Sequence, residues 1–422
     1  MEISKTKPLK VLFYSWVNIP HSYSIINCFQ LIHLYKNYGP EGIIKRNAIE
    51  IYIQEAKYYN DKWYLNQKLV YPEEYNEIIR SLPIYDGKTK IDLIYRATYP
   101  YHIDNFPVNI PKCIFYTSEF AKLTPSYFSG VTSVNGPFEQ IKESKDLYFT
   151  SPSIWSSLGL VEYLPQEHNR IITHGVDTKI FFKHYDKIKK NSIRERYSIK
   201  ETDILMINIG AMTSNKGILL ILNSMDIIVN KLHHTNYKLI LKGSDDLYEC
   251  TTFIKSYFQH FKENNIMTDN EINNLIDNHI IFINKTFSYS LINDIFNSCN
   301  LYISPYLCEG FGLTMLEAIS CGLNVLVPRT GSTKEYIDAI YQNGGKELIT
   351  YVDSQVGMDP SNGFCQNIIK IDDLVKSILN IDFSKNQSET NYKQMIKFIE
   401  RDLSWSHVST LLFDYFNYIV KT

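Results

Sequence analysis

The sequence lacks an excess of charge of either sign, and its 422 residues hold few cysteines. Lysine and arginine number 43 against 45 aspartate and glutamate, a formal net charge of -2. This balance gives no indication of a nucleic-acid-binding or anionic-membrane-binding surface. Seven cysteines, an odd number with no C-x-x-C spacing, argue against a disulfide framework or a zinc site. They indicate reduced, mostly buried thiols in a cytosol-like compartment.

Long apolar runs are also missing, since no stretch approaches the roughly 18 residues that span a bilayer. The N-terminal apolar run is interrupted by Ser15 and Asn18, and no small-residue cleavage site follows. We therefore interpret it as a first strand and not as a signal peptide. The expected location is cytoplasmic, with peripheral membrane contact through the first domain left open.

Short β-rich runs alternate with helical segments along the chain, and the pattern starts again near residue 203. This alternation predicts parallel sheets with crossover helices. Strands are predicted in the first half at residues 10–16, 48–53, 91–97, 112–118 and 146–151. In the second half they are predicted at residues 203–210, 237–243, 279–284, 300–305 and 323–328.

The charged stretch at residues 181–200 separates the two series of strands. A chain of this length suggests two or three domains at roughly 100–200 residues each. We predict an N-terminal domain at residues 1–185 and a C-terminal domain at 186–402. A closing amphipathic helix at 403–422 is expected to pack back on the N-terminal domain. Such domains bind ligands beyond the carboxyl ends of their strands.

A pair of glutamates, Glu309 and Glu317, brackets a glycine-rich turn at the predicted start of a helix over 313–321. Free amides and the helix dipole favour an anion there, and Gly310 and Gly312 allow close approach to the backbone. Glu317 could accept hydrogen bonds from a ribose diol, and Glu309 could reach a hexose hydroxyl. The alternative to a binding role is that Glu309 is a solvated loop residue and Glu317 an ordinary residue on the helix face. The backbone N–H groups predicted to bind this ligand belong to Gly310, Phe311, Gly312, Leu313 and Thr314.

The stretch "EGFGLTMLEAISCGLNVLV" resembles the E-x7-E signature of family four of the retaining glycosyltransferases, which have GT-B architecture. Asn324 stands at the usual proline position of the following strand. "NIGAMTSNKG" resembles the family's G-R-L-x-x-x-K-G, where Gly210, Lys216 and Gly217 match and Ala211 replaces the arginine. "THGVDTKIFF", "SPSIWS" and "LSWSHVSTLLFDYF" resemble further family elements.

This resemblance implies two Rossmann-like doubly wound domains facing each other across a cleft, with a C-terminal helix returning to the first domain. The second domain would bind a nucleoside diphosphate sugar, with Lys216 contacting the diphosphate. Glu309 and Lys216 are the predicted catalytic residues. Gly210, Gly217 and Glu317 are predicted donor contacts, and Lys242 is a candidate substitute for the missing arginine.

Acceptor-binding residues are less well defined by the sequence. In the family a histidine from the first domain approaches the donor sugar, but here Ser118 and Glu119 stand where a His-Asp pair is usual. His21 lies in the first strand-end loop, at residues 18–24, and Arg96 in the stretch 94–102 at the end of another predicted strand, and we add both to the acceptor candidates. Structural roles are the alternative for each, and Ser22 is a predicted helix N-cap.

The predicted activity is transfer of a hexose or N-acetylhexosamine from a nucleoside diphosphate sugar to an acceptor hydroxyl, with retention. No cofactor or metal is implied, because no D-x-D cluster stands at a strand end and Asp245-Asp246 suits a loop or N-cap. Expected partners are the nucleotide sugar and a carbohydrate, glycan, lipid or protein acceptor, without nucleic acid. A GT-B nucleotide-sugar epimerase and a non-catalytic binder remain alternatives. A nicotinamide oxidoreductase is disfavoured, because no G-x-G-x-x-G follows a first strand.

Overall fold

The computed structural model describes residues 7–384 and 387–422. The strands, in chain order, are β1 (Leu9–Ser15), β2 (Ile49–Glu55), β3 (Leu93–Arg96), β4 (Tyr101–His102), β5 (Lys112–Phe115), β6 (Phe128–Ser129), β7 (Leu147–Ser151), β8 (Asn169–Ile171), β9 (Ile204–Ile209), β10 (Tyr237–Lys242), β11 (Ile280–Ile283), β12 (Leu301–Ile303), β13 (Asn324–Pro328), β14 (Ile349–Val352), β15 (Gln355–Met358) and β16 (Cys365–Ile368).

The helices, in chain order, are α1 (Ser22–Tyr38), α2 (Glu73–Ser81), α3 (Pro137–Glu143), α4 (Ile154–Ser157), α5 (Lys187–Arg196), α6 (Ile218–Asp226), α7 (Cys250–Glu263), α8 (Asp269–Asn278), α9 (Tyr289–Ser298), α10 (Leu313–Ser320), α11 (Lys334–Ile340), α12 (Ile371–Leu379), α13 (Glu389–Asp402) and α14 (Trp405–Lys421). None of these helices is both long enough and apolar enough to cross a membrane.

The chain divides into two compact units. One comprises the described residues up to Gly175 together with Asp402–Thr422, and the other comprises Val176–Arg401. The first boundary lies between Gly175 and Val176, whereas the sequence places it after residue 185. The charged stretch that separates the two series of strands contains α5 of the second unit.

The first unit is built on a parallel sheet in the order β2-β1-β3-β5-β7-β8. Helix α14 belongs to this unit and packs against α1. Trp405 stacks on Phe29 at a centroid distance of 5.1 Å, and Phe413 stacks on Tyr38 at 3.9 Å. Phe416 is fully buried against Phe13 and Tyr95 of the sheet. The aromatic side of α14, evident in the sequence, therefore covers the sheet beside α1.

The second unit contains a parallel sheet in the order β11-β10-β9-β12-β13-β14. Its central strands are nearly continuous apolar runs because helices cover both faces. On one face, α6, α7 and α12 pack over β9 and β10 in an apolar core. The predicted fold class, two Rossmann-like α/β domains with a C-terminal helix returning to the first, is confirmed.

Candidate functional site

The order in which the chain adds strands to the sheet of the second unit reverses between β9 and β12. The chain runs from β9 to β10 and β11 on one side, then returns to place β12 on the other side of β9. Ligands of open α/β sheets bind beyond the carboxyl ends of the strands at such a point. The loops that leave these ends are residues 210–217 after β9 and residues 304–312 after β12. These loops carry the two predicted catalytic residues.

Lys216 and Glu309 form an ion pair across this point. The Lys216 Nζ lies 2.9 Å from the Glu309 Oε2, and the two side chains are 21% and 18% exposed. The Glu309 Oε1 also accepts a hydrogen bond of 3.1 Å from the Gly310 amide. The sequence predicts both residues but not their pairing, because 93 positions separate them. Both charges remain accessible to a ligand at this edge of the sheet.

The two loops are fixed to each other by backbone contacts. The Asn215 carbonyl accepts hydrogen bonds from the amides of Leu307 and Cys308 at 2.8 and 3.2 Å. Gly217 has a φ of +73°, and a Cβ placed there would lie 2.1 Å from the carbonyl oxygen of Pro305. Only glycine fits both the positive φ and this close approach. The loop of Lys216 and the loop of Glu309 are therefore built as one surface.

Helix α10 begins beside this ion pair. Its N-cap, Gly312, has a φ of +85° and offers no side chain to cap the first amides. The uncapped N–H groups and the helix dipole favour an anion at this position. The predicted helix at 313–321 agrees with the observed Leu313–Ser320, and Gly322 follows with a φ of +71°.

The side chains of the turn face the protein rather than solvent. Phe311 is 3% exposed and stacks on Tyr336 at 4.7 Å. The Tyr336 hydroxyl donates to the Gly312 carbonyl at 3.1 Å, and the Thr314 hydroxyl bonds that of Tyr302 at 2.6 Å. Leu313 is half-buried. These contacts turn the side chains toward the protein, so the backbone amides of the turn are the groups left to contact a ligand.

Glu317 is buried on α10, 7% exposed, and burial raises the pKa of its carboxyl to about 8. Within residues 7–384 and 387–422, no hydrogen bond or ion pair to this carboxyl is described. A buried carboxyl without a partner is costly to ionise, so it is held protonated near neutral pH. A ligand that donates hydrogen bonds would relieve this cost.

Lys242 ends β10 next to the loop of Lys216, and its carbonyl accepts a 3.1 Å hydrogen bond from the Gly210 amide. Its ammonium lies 6.0 Å from the centre of the Phe287 ring, and burial lowers its pKa to about 8. Ala211 offers no charge, and its carbonyl accepts from the Cys250 thiol at 3.3 Å. Lys242 is therefore a half-buried cation beside the position that lacks an arginine.

Asp245 has a structural role, as the sequence predicts. Its carboxylate accepts hydrogen bonds from the Thr251 amide at 2.8 Å, from the Thr251 hydroxyl, and from the Asn284 side chain at 2.8 Å. These bonds tie the loop after β10 to the first turn of α7.

The acceptor candidates His21 and Arg96 have structural contacts in the first unit. The predicted N-cap at Ser22 is wrong: α1 starts at Ser22, and the His21 Nδ1 caps it by accepting from the Tyr23 amide at 3.2 Å. Burial among aromatic rings lowers the pKa of His21 to about 3. The buried Arg96 guanidinium binds Asp104 at 3.0 Å and two backbone carbonyls.

Ser118 and Glu119 follow β5. Ser118 is 1% exposed, and its amide donates to the Ser156 hydroxyl at 2.9 Å. Glu119 is half-buried, and its carbonyl accepts from the Trp155 indole at 2.8 Å. The sequence thus places these four candidates at or just beyond the ends of predicted strands, and their contacts in the structure are largely internal.

The sequence interpretation missed two asparagines that hold the loop of Glu309. Asn215 precedes Lys216, and Asn367 lies on β16 and bonds the backbone of Tyr306 and Leu307. An Asn-Gly pair at 362–363 signals a turn before β16, but no local signal shows that Asn367 reaches the loop after β12.

Residues 189–344 match the family model "Glycosyl transferases group 1". Glycogen synthase of Clostridium beijerinckii is 27% identical over 258 residues, which cover 54% of this chain and 48% of that protein. The chain spans about half the length, or less, of the curated relatives it matches.

Two solved structures are similar over nearly the whole chain. One is HepE from Anabaena in complex with UDP and glucose, with a TM-score of 0.60 and 13% identity, covering 97% of this chain and 99% of HepE. The other is sucrose-phosphate synthase from Thermosynechococcus elongatus, with a TM-score of 0.62 and 15% identity, covering 98% and 99%. Residues 189–344 of the second unit therefore resemble the group 1 glycosyl transferases, and the whole chain has the GT-B fold.

Proposed function

We propose that the protein transfers a hexosyl or N-acetylhexosaminyl group from a nucleoside diphosphate sugar to an acceptor hydroxyl with retention of configuration. The observation that carries the proposal is the Lys216–Glu309 ion pair beside the uncapped start of α10. It combines a cation, free amides and a carboxylate at the switch point of an open α/β sheet.

Each part of a donor has a matching group in this arrangement. The diphosphate suits the Lys216 ammonium and the amides at the start of α10, with Lys242 as a second cation. The ribose hydroxyls can donate hydrogen bonds to the buried Glu317 carboxyl, for which the described part of the chain shows no hydrogen bond or ion pair. Glu309 then faces the hexose, and its bond to Lys216 lengthens as the lysine turns to phosphate.

The proposed chemistry is mainly electrostatic. As the bond from C1 of the sugar to the phosphate oxygen breaks, negative charge grows on the diphosphate and is stabilised by Lys216 and the amides. The acceptor oxygen bonds to C1 on the same face, and its proton passes to the departing phosphate. No dedicated base is required in this scheme. Positioning of the two substrates supplies the remaining acceleration.

The comparisons support this choice of chemistry. The region that resembles group 1 glycosyl transferases includes Lys216, Lys242 and Glu309, and HepE was crystallised with UDP and glucose. We propose that no cofactor or metal takes part, on the sequence argument given above. The acceptor-binding roles of His21, Arg96, Ser118 and Glu119 stay predictions, as does a cytoplasmic location.

The test is an assay with UDP-, GDP- and ADP-sugars, in which hydrolysis and transfer are followed and the anomeric configuration of the product is read by NMR. Glu309→Ala and Lys216→Ala should each lower kcat by about 100-fold or more. Exposed residues of α7 supply the matched controls Lys255→Ala and Glu263→Ala, which should keep wild-type rates.

The alternatives give different outcomes in the same assay. Release of an epimerised sugar identifies an epimerase. Tight nucleotide binding without turnover identifies a non-catalytic binder, which the alanine at position 211 would explain. An inverted product contradicts retention, and full activity in both site variants contradicts the assignment of the site.

A further inference from the structure

A β-hairpin, β15–β16, packs beside the loop that carries Glu309. The two strands pair antiparallel, with Val356 opposite Asn367. Most of the hairpin is exposed: Val356, Met358 and Ile368 are 47%, 66% and 57% accessible. Asn367 differs, because only 2% of it is exposed. A buried amide in an exposed hairpin needs internal hydrogen-bond partners.

Asn367 has such partners on two separate loops. Its backbone amide donates to the Leu307 carbonyl at 2.6 Å, and its Nδ2 donates to the Tyr306 carbonyl at 3.2 Å. Its Oδ1 accepts from the Thr330 hydroxyl at 2.7 Å. Asn367 thus joins the loop after β12 to the loop after β13.

The other side of the same segment is held by Asn215. The Asn215 carbonyl accepts from the Leu307 and Cys308 amides. Leu307 therefore donates to Asn215 and accepts from Asn367, and Glu309 follows two positions later. The segment is fixed from both directions at the point where it delivers the Glu309 carboxylate.

The hairpin lies outside the part of the chain that matches the family model, which ends at residue 344. The loop of Lys216 supplies one half of the support, and a segment beyond the matched domain supplies the other.

We propose that Asn367 is a positioning residue for Glu309. The proposal rests on the proposed function, in which Glu309 faces the transferred sugar while Lys216 and α10 hold the diphosphate. Asn367 thereby sets the placement of the sugar and has little influence on the nucleotide. Removing the side-chain amide of Asn367 should impair transfer while leaving binding of the nucleoside diphosphate nearly intact.

The experiment uses Asn367→Ala, which removes both side-chain contacts of Asn367. It also uses Thr330→Val, which removes the donor to the Asn367 Oδ1 together with the bond between the Thr330 and Ser354 hydroxyls. Gln366→Ala, an exposed neighbour on the same strand, is the matched control. For each variant, UDP, GDP and ADP affinities are measured by calorimetry. The kcat for transfer is measured with the sugar nucleotide that the wild type uses.

Asn367→Ala should lower kcat by about 10- to 100-fold, the range expected when a catalytic group is misplaced by about 1 Å. Its nucleotide affinity should stay within about twofold of wild type. Thr330→Val should show a smaller loss in the same direction, and Gln366→Ala none. Equal losses of nucleotide affinity and kcat, or an unchanged kcat, would overturn the proposal.

Hydrogen exchange provides a readout that does not depend on activity. The amide of Leu307 should exchange faster in Asn367→Ala and Thr330→Val than in wild type, and Gln366→Ala should match wild type. Unchanged exchange of the Leu307 amide in both variants would refute the claim that Asn367 holds the loop of Glu309. A wild type without turnover on any sugar nucleotide refutes the proposed function instead, so the two failures are distinguishable. If Asn367→Ala does not fold, Thr330→Val still decides the question.

Discussion

Replacement of Glu317 by glutamine tests the assignment of this buried carboxyl to the donor ribose. The change keeps the shape of the side chain and removes its ionisation. In the free protein Glu317 is 7% exposed, and burial raises the pKa of its carboxyl from 4.5 to about 8. Two ribose hydroxyls that donate to it would favour the ionised form, because a carboxylate only accepts.

The size of the effect follows from this pKa. At pH 7, one unit below it, about 90% of the carboxyls are protonated. Binding a donor therefore releases about 0.9 proton, and the association constant rises about tenfold per pH unit until it levels off near pH 8. Glu317→Gln cannot ionise, so its affinity should be nearly independent of pH over the same range.

Isothermal titration calorimetry measures this release directly. UDP-glucose, ADP-glucose and GDP-mannose are titrated in two buffers with different heats of ionisation, and the difference gives the protons released. The diphosphate of these donors does not titrate near neutral pH. Glu263→Gln is the control on an exposed glutamate. Donor binding without proton release in the wild type, or equal release in Glu317→Gln, would refute the reasoning.

The same pKa predicts the pH dependence of stability. Between about pH 4.5 and 8 the folded protein keeps a proton that the unfolded chain has lost. The free energy of unfolding should therefore fall as pH rises through this window, by up to about 1.4 kcal/mol per unit. Glu317→Gln should gain stability relative to wild type from pH 5 to pH 8 in urea unfolding.

Gly217→Ala should cost about 2–5 kcal/mol in urea unfolding, since its Cβ would meet the Pro305 carbonyl at 2.1 Å with φ at +73°; a loss below about 1 kcal/mol would contradict the fixed loop contact. Trp405→Ala should cost about 3–5 kcal/mol by removing the buried stack on Phe29, measured by chemical unfolding of the whole chain. Lys242→Met should weaken binding of UDP, ADP and GDP in calorimetry. The difference in affinity between wild type and variant should shrink above about pH 8, because Lys242 loses its charge there. Equal affinities for variant and wild type would show that Lys242 does not belong to the donor site.

Much of the fold could be predicted because strands buried on both faces leave a strong signal. The run predicted as a strand at residues 203–210 is the observed Ile204–Ile209, and the predicted helix at 313–321 is Leu313–Ser320. Apolar content defines these elements locally, and Gly322 marks the helix end by its positive φ.

The parts that could not be predicted depend on contacts between distant segments. The pairing of Lys216 with Glu309 requires β9 and β12 to be neighbours in the sheet, which no local pattern encodes. His21 caps α1 through a ring nitrogen, whereas Ser22 is the more common capping type. The role of Asn367 depends on a hairpin outside the regular alternation of strands and helices.

The first unit draws its elements from two separated parts of the chain. Residues 402–422 are synthesised only after the whole second unit, yet Trp405, Phe413 and Phe416 cover apolar side chains of α1 and the first sheet. Until α14 has been synthesised, the apolar surface of α1 and the first sheet is therefore exposed to water. Truncation before α14 should produce a protein prone to aggregate, and chaperone dependence is expected to be greatest at this stage of synthesis.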